Sequence, residues 1–124
     1  MADAADSRAL VDLAAHKADD KKADDIKIFD MNGISLLTDY VLLASGQTTV
    51  KVKAIAQYVE EELTKAGYTL HGSEGWAEAV WILMDFGTLI VHVMRTKERE
   101  YYNLERLWSN TPVESWSSAT PSAG

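Results

Sequence analysis

The stretch EGWAEAVWILMDFGTLIVHVMR, Glu74 to Arg95, constrains this chain more than any other. It is the longest strongly apolar run, and Gly87 divides it into two strand-length halves rich in β-branched and aromatic residues, the pattern of a β-hairpin. A type II′ turn takes glycine at its first central position, so the turn is expected at Gly87-Thr88. Side chains alternate along strands, which places Val80, Ile82, Met84 and Phe86 on one face with Leu89, Val91 and Val93 of the return strand. That face is purely apolar. The opposite face carries Trp81, Leu83 and Asp85 against Ile90, His92 and Met94, and is mixed. A turn shifted by one residue changes the cross-strand partners but leaves this division intact.

The mixed face has two readings. It is the second covered face of a sheet packed on both sides, with Asp85 and His92 at the rim, or it is an open docking surface, since Trp and Met are enriched and most charges depleted at interface centres.

At 124 residues the chain is long enough to bury a core as one domain. It has no cysteine, which excludes disulfides, thiolate metal sites and cysteine nucleophiles, and fits a reducing compartment. The apolar run is interrupted by Asp85 and His92, so no span of about 18 apolar residues is available to cross a membrane. The N-terminus MADAADSRALVD lacks a basic region followed by an apolar core, and the expected location is the cytoplasm. Net charge is −7. Such a chain repels phosphate, which argues against direct sequence-specific nucleic acid binding and favours a protein partner.

Along the chain, Ser7 to Lys22 reads as a helix with Leu10, Leu13 and Ala14 on one side. DDKKADD, Asp19 to Asp25, is a solvated charge run. Ile26 to Met31 alternates like a strand and ends at an Asn32-Gly33 turn. After the connection ISLLTD, the continuous apolar run Tyr40 to Ala44 suits a strand buried on both faces, in the middle of a sheet. Val52, Ile55, Ala56, Val59, Leu63 and Ala66 then fall on one face of a helix that ends at Gly67. A short strand is expected near Thr69 to His71, completing a β-α-β unit. Thr96 is placed to cap a last helix, with Glu98 in its first turn and Tyr101, Leu104, Leu107 and Trp108 as its apolar stripe. Residues 109–124 read as a disordered tail, with Trp116 unassigned. The expected organisation is therefore an N-terminal helix and charged linker over residues 1–23, a domain over 24–108, and the tail.

Nothing in the chain has the spacing of a catalytic set. The strand-Gly46-helix junction resembles an anion cradle, but a single glycine is a weak signal beside a glycine-rich phosphate loop. Asp85-Phe86-Gly87 spells the kinase metal-binding tripeptide in a chain far too short for that fold. Asp30, Asp39, Glu74 and Asp85 form no spaced acid/base pair, and His16, His71 and His92 share no ligand spacing. No metal, cofactor or catalytic residue is expected.

Several segments together resemble one family, the ribosomal silencing factors, also called the Iojap family. They are DDIKIFDMNGISLLTDYVLLASGQT, KAIAQYVEE, AGYTLHGSEG, AVWILMDFGTLIVHVM and EREYYNLERLW, covering roughly Asp24 to Trp108. The combination Thr38-Asp39-Tyr40, Ser45-Gly46, Glu74-Gly75, Trp81, Asp85-x-Gly87, Val91-His92-Val93 and Leu104-Glu105-x-Leu107-Trp108 is more specific than any one piece. The resemblance implies an α/β domain with a mixed β-sheet and flanking helices, nucleotidyltransferase-like in topology but without catalytic residues, often a homodimer. It implies binding to the large ribosomal subunit through its ribosomal protein number fourteen, which blocks joining of the small subunit and represses translation under nutrient limitation. It implies docking through the hairpin and the last helix, at Trp81, Phe86, Arg99 and Tyr102 with Leu83, Asp85 and His92 nearby. Phe86 stands where other members often carry leucine or tyrosine, which keeps an apolar side chain there. The alternative is a nucleotidyltransferase-like enzyme or nucleotide-binding protein, suggested by the family's shape and the Gly46 junction.

Overall fold

The structure, a computed structural model, describes residues 4–116. Its elements run α1 (Ala4–Asp20), β1 (Asp24–Asp30), β2 (Tyr40–Gly46), α2 (Thr49–Lys65), β3 (Gly72–Glu74), β4 (Trp81–Asp85), β5 (Leu89–Arg95), α3 (Thr96–Tyr102), the single turn α4 (Leu104–Leu107) and β6 (Val113–Ser115). The hairpin forms where the apolar run places it. Ile82 lies opposite Val93 and Asp85 opposite Ile90, and the Phe86 N–H donates to the Leu89 carbonyl at 2.8 Å. Gly87 and Thr88 remain as a two-residue loop, and Gly87 has φ of +85°, a conformation glycine reaches without steric cost. The Asp85 carboxylate ties the turn by accepting the Gly87 N–H at 2.7 Å.

The apolar hairpin face is the floor of the main core. Ile82, Met84, Phe86, Leu89, Val91 and Val93 pack there against Leu10, Val11, Ala14, Ala15 and Ala18 of α1 and Val52, Ile55, Ala56, Val59 and Leu63 of α2. Both long helices therefore cover the same side of the sheet. All of β2 is buried, and the strand lies between β5, which is parallel to it, and β1, which is antiparallel, in the mixed six-stranded order β3-β4-β5-β2-β1-β6. A strand flanked on both edges and covered on both faces has no wet side, which is why its sequence is an unbroken apolar run. Thr48 caps α2, its hydroxyl oxygen accepting the Lys51 N–H at 3.1 Å, and Gly67 follows the helix at φ of +102°. Ala66 is exposed at the helix end rather than on the buried stripe.

The third strand forms three residues later than expected. Tyr68 and Leu70 turn inward onto the main core, and Gly72–Glu74 pair with Leu83–Asp85 instead. The β-α-β unit is accordingly a split one, because β4 and β5 lie between its two parallel strands. Gly75, at φ of +93°, closes this corner: a Cβ there would stand 1.9 Å from the Trp81 carbonyl oxygen, so only glycine allows the approach.

Three further expectations are corrected. The N-terminal helix is a layer of the domain rather than an appendage, since its apolar side is part of the main core. The segment after Trp108 is ordered at least to Trp116: Val113–Ser115 pair with Lys27–Phe29 of β1, the Trp116 N–H donates to the Ile26 carbonyl at 2.8 Å, and the Trp116 ring packs on the main core. Arg8 of α1 grips the same strand through Glu114 at 2.5 and 2.9 Å. A three-residue strand is too short to show alternation, and its partner is more than eighty positions away. The rest of the expected tail, 117–124, lies outside the described residues. The last helix, finally, breaks at Asn103, which is left-handed at φ 49° and ψ 57°. Thr96 caps nothing; its hydroxyl donates to the Gly46 carbonyl at 3.2 Å. The break splits the anticipated stripe, leaving Tyr101 and Leu107 exposed while Leu104 and Trp108 turn onto the second face of the sheet.

Candidate functional site

Among the described residues, the face of the sheet opposite α1 and α2 is covered by the α3-α4 segment, through Leu104 and Trp108, and bordered by the β1-β2 connection. Phe29, Met31, Val41, Leu43 and Met94 form a small second core there, with Trp81, Ile90, Leu104 and Trp108 partly buried around it. Parity accounts for the membership, because every strand residue in this cluster alternates with one in the main core. An aromatic row crosses the face: ring centres are 5.0 Å apart for Phe29 and Trp108, 5.9 Å for Trp108 and His92, 5.9 Å for His92 and Trp81, and 5.2 Å for Trp81 and Tyr102. These separations fall in the range where tilted rings attract. The row begins in the second core and emerges at Tyr102, 53% exposed at the end of α3.

His92 is the hinge of that row. It is 7% exposed, and burial pushes its imidazole down to about 4, so near neutrality it is uncharged. The Trp81 indole Nε1–H donates to its Nδ1 at 3.0 Å, which leaves the imidazole proton on Nε2. The bond fixes the orientation of a large, half-buried indole at the edge of the covered region. Trp81 and Leu83, with Glu74 and Gly75, line a concavity of about 340 Å³.

The seven expected contact residues thus separate into two groups. Trp81, Leu83, Asp85 and Tyr102 keep accessible surface on the sparsely covered face. Phe86, His92 and Arg99 are buried, and the expectation that Phe86 and Arg99 present themselves to a partner is corrected. Phe86, 5% exposed, follows the parity of Ile82 and Met84 into the main core. Arg99, 4% exposed, is built into the junction between α3 and the start of β1. Its guanidinium Nη1 donates to the Asp25 carbonyl at 2.6 Å and to the Ser45 hydroxyl at 3.1 Å, and its Nε donates to Glu105 at 3.3 Å. β1 is irregular between Asp24 and Lys27, with Asp25 at φ of +49°, so its carbonyls there have left the ladder and Arg99 satisfies one of them. Burial alone would raise the Glu105 carboxyl, but hydrogen bonds from Lys27 and Arg99 hold it below its usual range.

The Gly46 junction is an ordinary helix start: Thr48 caps it and the Lys51 side chain lies over it, 2.8 Å from where a Gly46 Cβ would stand. Among the described residues no group of three His, Asp or Glu side chains is placed to hold a metal ion, and no helix is long and apolar enough to cross a membrane.

Known proteins match this arrangement over most of its length. The family described as "Ribosomal silencing factor during starvation" matches residues 4–123. A ribosomal silencing factor of Bacillus subtilis is 42% identical over 106 residues, covering 86% of this chain and 90% of that protein. Among solved structures, a Chromobacterium violaceum protein superposes with a TM-score of 0.81 at 32% identity, covering 92% of this chain and 95% of the other. A Bacillus halodurans protein superposes at 0.78 with 38% identity, covering 88% and 99%. The match includes α1, the region after Trp108 and the motifs on both faces of the sheet. The chain belongs to the ribosomal silencing factor family.

Proposed function

We propose that this protein silences translation by docking on the large ribosomal subunit, through its ribosomal protein number fourteen, with the Trp81-Leu83-Tyr102 surface, and that the bound domain keeps the small subunit from joining. The observation that carries the reading is the aromatic row: Trp81 is held in one orientation by its bond to His92 and touches the exposed Tyr102 ring. Rigid, partly exposed aromatic anchors lose little entropy on binding and dominate interface energies. Asp85 lies on the same face, while Phe86, His92 and Arg99 act from behind the surface by holding its backbone and rings in place. A steric block needs no chemistry, only a specific complex, which typically buries about 1,200–2,000 Å² in total. A net charge of −7 suits a basic protein surface and disfavours direct capture of nucleic acid. The free protein acts in the cytoplasm and pairs as a homodimer.

Sedimentation of purified subunits tests the reading. The protein is expected to travel with large subunits, not with small ones, and to lower the yield of joined ribosomes. Trp81→Ala is expected to weaken large-subunit binding by about 30- to 1,000-fold, the loss of roughly 2–4 kcal/mol at one anchor. Unchanged joining together with no binding to free large subunits would sink the proposal.

A further inference from the structure

The connection between β1 and β2 presents apolar side chains that the fold does not use. Ile34 is 55% exposed, Leu36 104% and Leu37 89%, and single exposed apolar residues are common enough to need no explanation. These three are neighbours on a loop that is held in shape. The Ser35 hydroxyl oxygen accepts the Leu37 and Thr38 N–H groups at 3.0 and 3.3 Å. The Met31 N–H donates to the Asp39 carbonyl at 2.8 Å, and the Asp39 and Tyr40 N–H groups both donate to the Thr88 carbonyl of the hairpin turn. Leu37 is thereby set at the rim of a groove of about 530 Å³ whose apolar wall includes Met31, Val41, Ile90 and Trp108. Asp85 stands in the same groove, which no lysine or arginine lines. Its carboxylate accepts one turn amide and has no salt bridge among the described residues.

We infer that this groove is a second docking point, and that its occupant is a protein segment bearing a lysine or arginine for Asp85 beside an apolar side chain that lies between Leu37 and Trp108. The inference rests on the ribosomal reading, because the segment it requires belongs to a protein of the large subunit. Charge selects among occupants. An unpaired carboxylate at the edge of an apolar groove favours a cation and opposes phosphate. A second copy of this chain would bring another charge of −7, and its own 31–39 loop, MNGISLLTD, contains no lysine or arginine. The groove sits at the turn end of the hairpin, while Trp81 sits at the opposite end of β4, so two separated contacts would set the orientation of the bound domain as well as its affinity.

The test is equilibrium sedimentation of the full chain with purified large subunits, at low and at physiological salt. The variants are the pair Leu36→Ser with Leu37→Ser, and Asp85→Asn, whose amide oxygen still accepts the Gly87 N–H. The leucine pair is expected to bind about 10-fold more weakly with an unchanged melting temperature, as for loss of a moderate interface anchor. Asp85→Asn is expected to bind about 3- to 10-fold more weakly at low salt and to show a flatter salt dependence than the parent. Both variants binding like the parent, while Trp81→Ala binds poorly, would overturn the groove and leave the ribosomal reading standing. Normal subunit binding by the leucine variant together with conversion of a dimer to monomer by light scattering would assign the groove to a second copy and overturn the inference. Absence of binding by the parent protein would overturn both readings.

Discussion

The two faces of the sheet obey opposite rules. On the side of α1 and α2, alternate residues from every long strand are apolar and buried, and two helices of 17 residues each complete the core. On the other side the same strands offer Trp81, Leu83, Asp85, Ile90 and His92, and among the described residues a broken helix covers part of them through Leu104 and Trp108. The first face is closed by long elements that find it through their own amphipathic stripes. The second is closed by single rings, Trp108 over Phe29 and His92, and it remains open at both ends of the hairpin. A sheet that needs one face for stability can use the other for recognition, provided the recognising side chains are held rigidly. His92 and Arg99 supply that rigidity here.

The comparison breaks most visibly if the two faces respond alike to truncation. Ile82→Ala, in the main core, is expected to lose about 4 kcal/mol of stability, whereas Trp81→Ala, its neighbour on the other face, should lose much less stability and far more affinity for large subunits. Chemical denaturation of both, alongside binding of the folded protein, checks this; equal destabilisation would mean that both faces are core. Phe86→Ala is expected to behave like Ile82→Ala, since Phe86 shares its face.

Arg99 sharpens the distinction between holding the surface and forming it. Arg99→Met leaves Glu105 without one of its two cationic partners and the Asp25 carbonyl without its guanidinium donor, and is expected to cost about 3 kcal/mol of stability. The folded fraction should still bind. A variant of normal stability that fails to bind would show instead that the guanidinium reaches the partner.

Acid provides a probe of the open face alone. The His92 imidazole titrates near 4 when folded and near its ordinary value of about 6.5 when unfolded. Between those values the unfolded chain binds the extra proton, so the contribution of neutral His92 is complete above the unfolded value and declines as pH falls towards 4. From about pH 7 to pH 5 the loss amounts to about 2 kcal/mol. His92→Gln should remove that part of the pH dependence in denaturation curves measured at the two pH values. An unchanged slope would assign it to other groups.

The smallest expected effect lies at the sheet edge. Trp116→Ala removes a half-buried ring from the main core and from its edge-on approach to His16, 6.1 Å between centres, and is expected to cost about 1–2 kcal/mol. Thermal unfolding measures it. No change would show that residues 113–116 add a strand without strengthening the core.

Local pattern was enough for the hairpin, its Gly87-Thr88 turn, the central strand and α2, because alternation, a helical stripe, a cap and a required glycine all act within a few residues. The motifs distributed from Asp24 to Trp108 were also enough to indicate the family. Parity placed Trp81, Leu83 and Asp85 on the mixed face, and the family resemblance made them and Tyr102 candidate contacts. Accessibility was decided elsewhere. For Phe86 the resemblance pointed outward while parity put it on the apolar face, and the structure follows parity because α1 and α2 cover that face. Arg99 was misjudged because a charged residue is buried only where other groups converge on it, here Asp25 and Ser45 from far along the chain and Glu105 from the next turn. The Asn103 break and the pairing of β6 with β1 likewise depend on surfaces far apart in the chain. Periodicity tells a strand which side is apolar; only the assembled structure determines how much of either side stays open, since that depends on the length and reach of whatever folds over it.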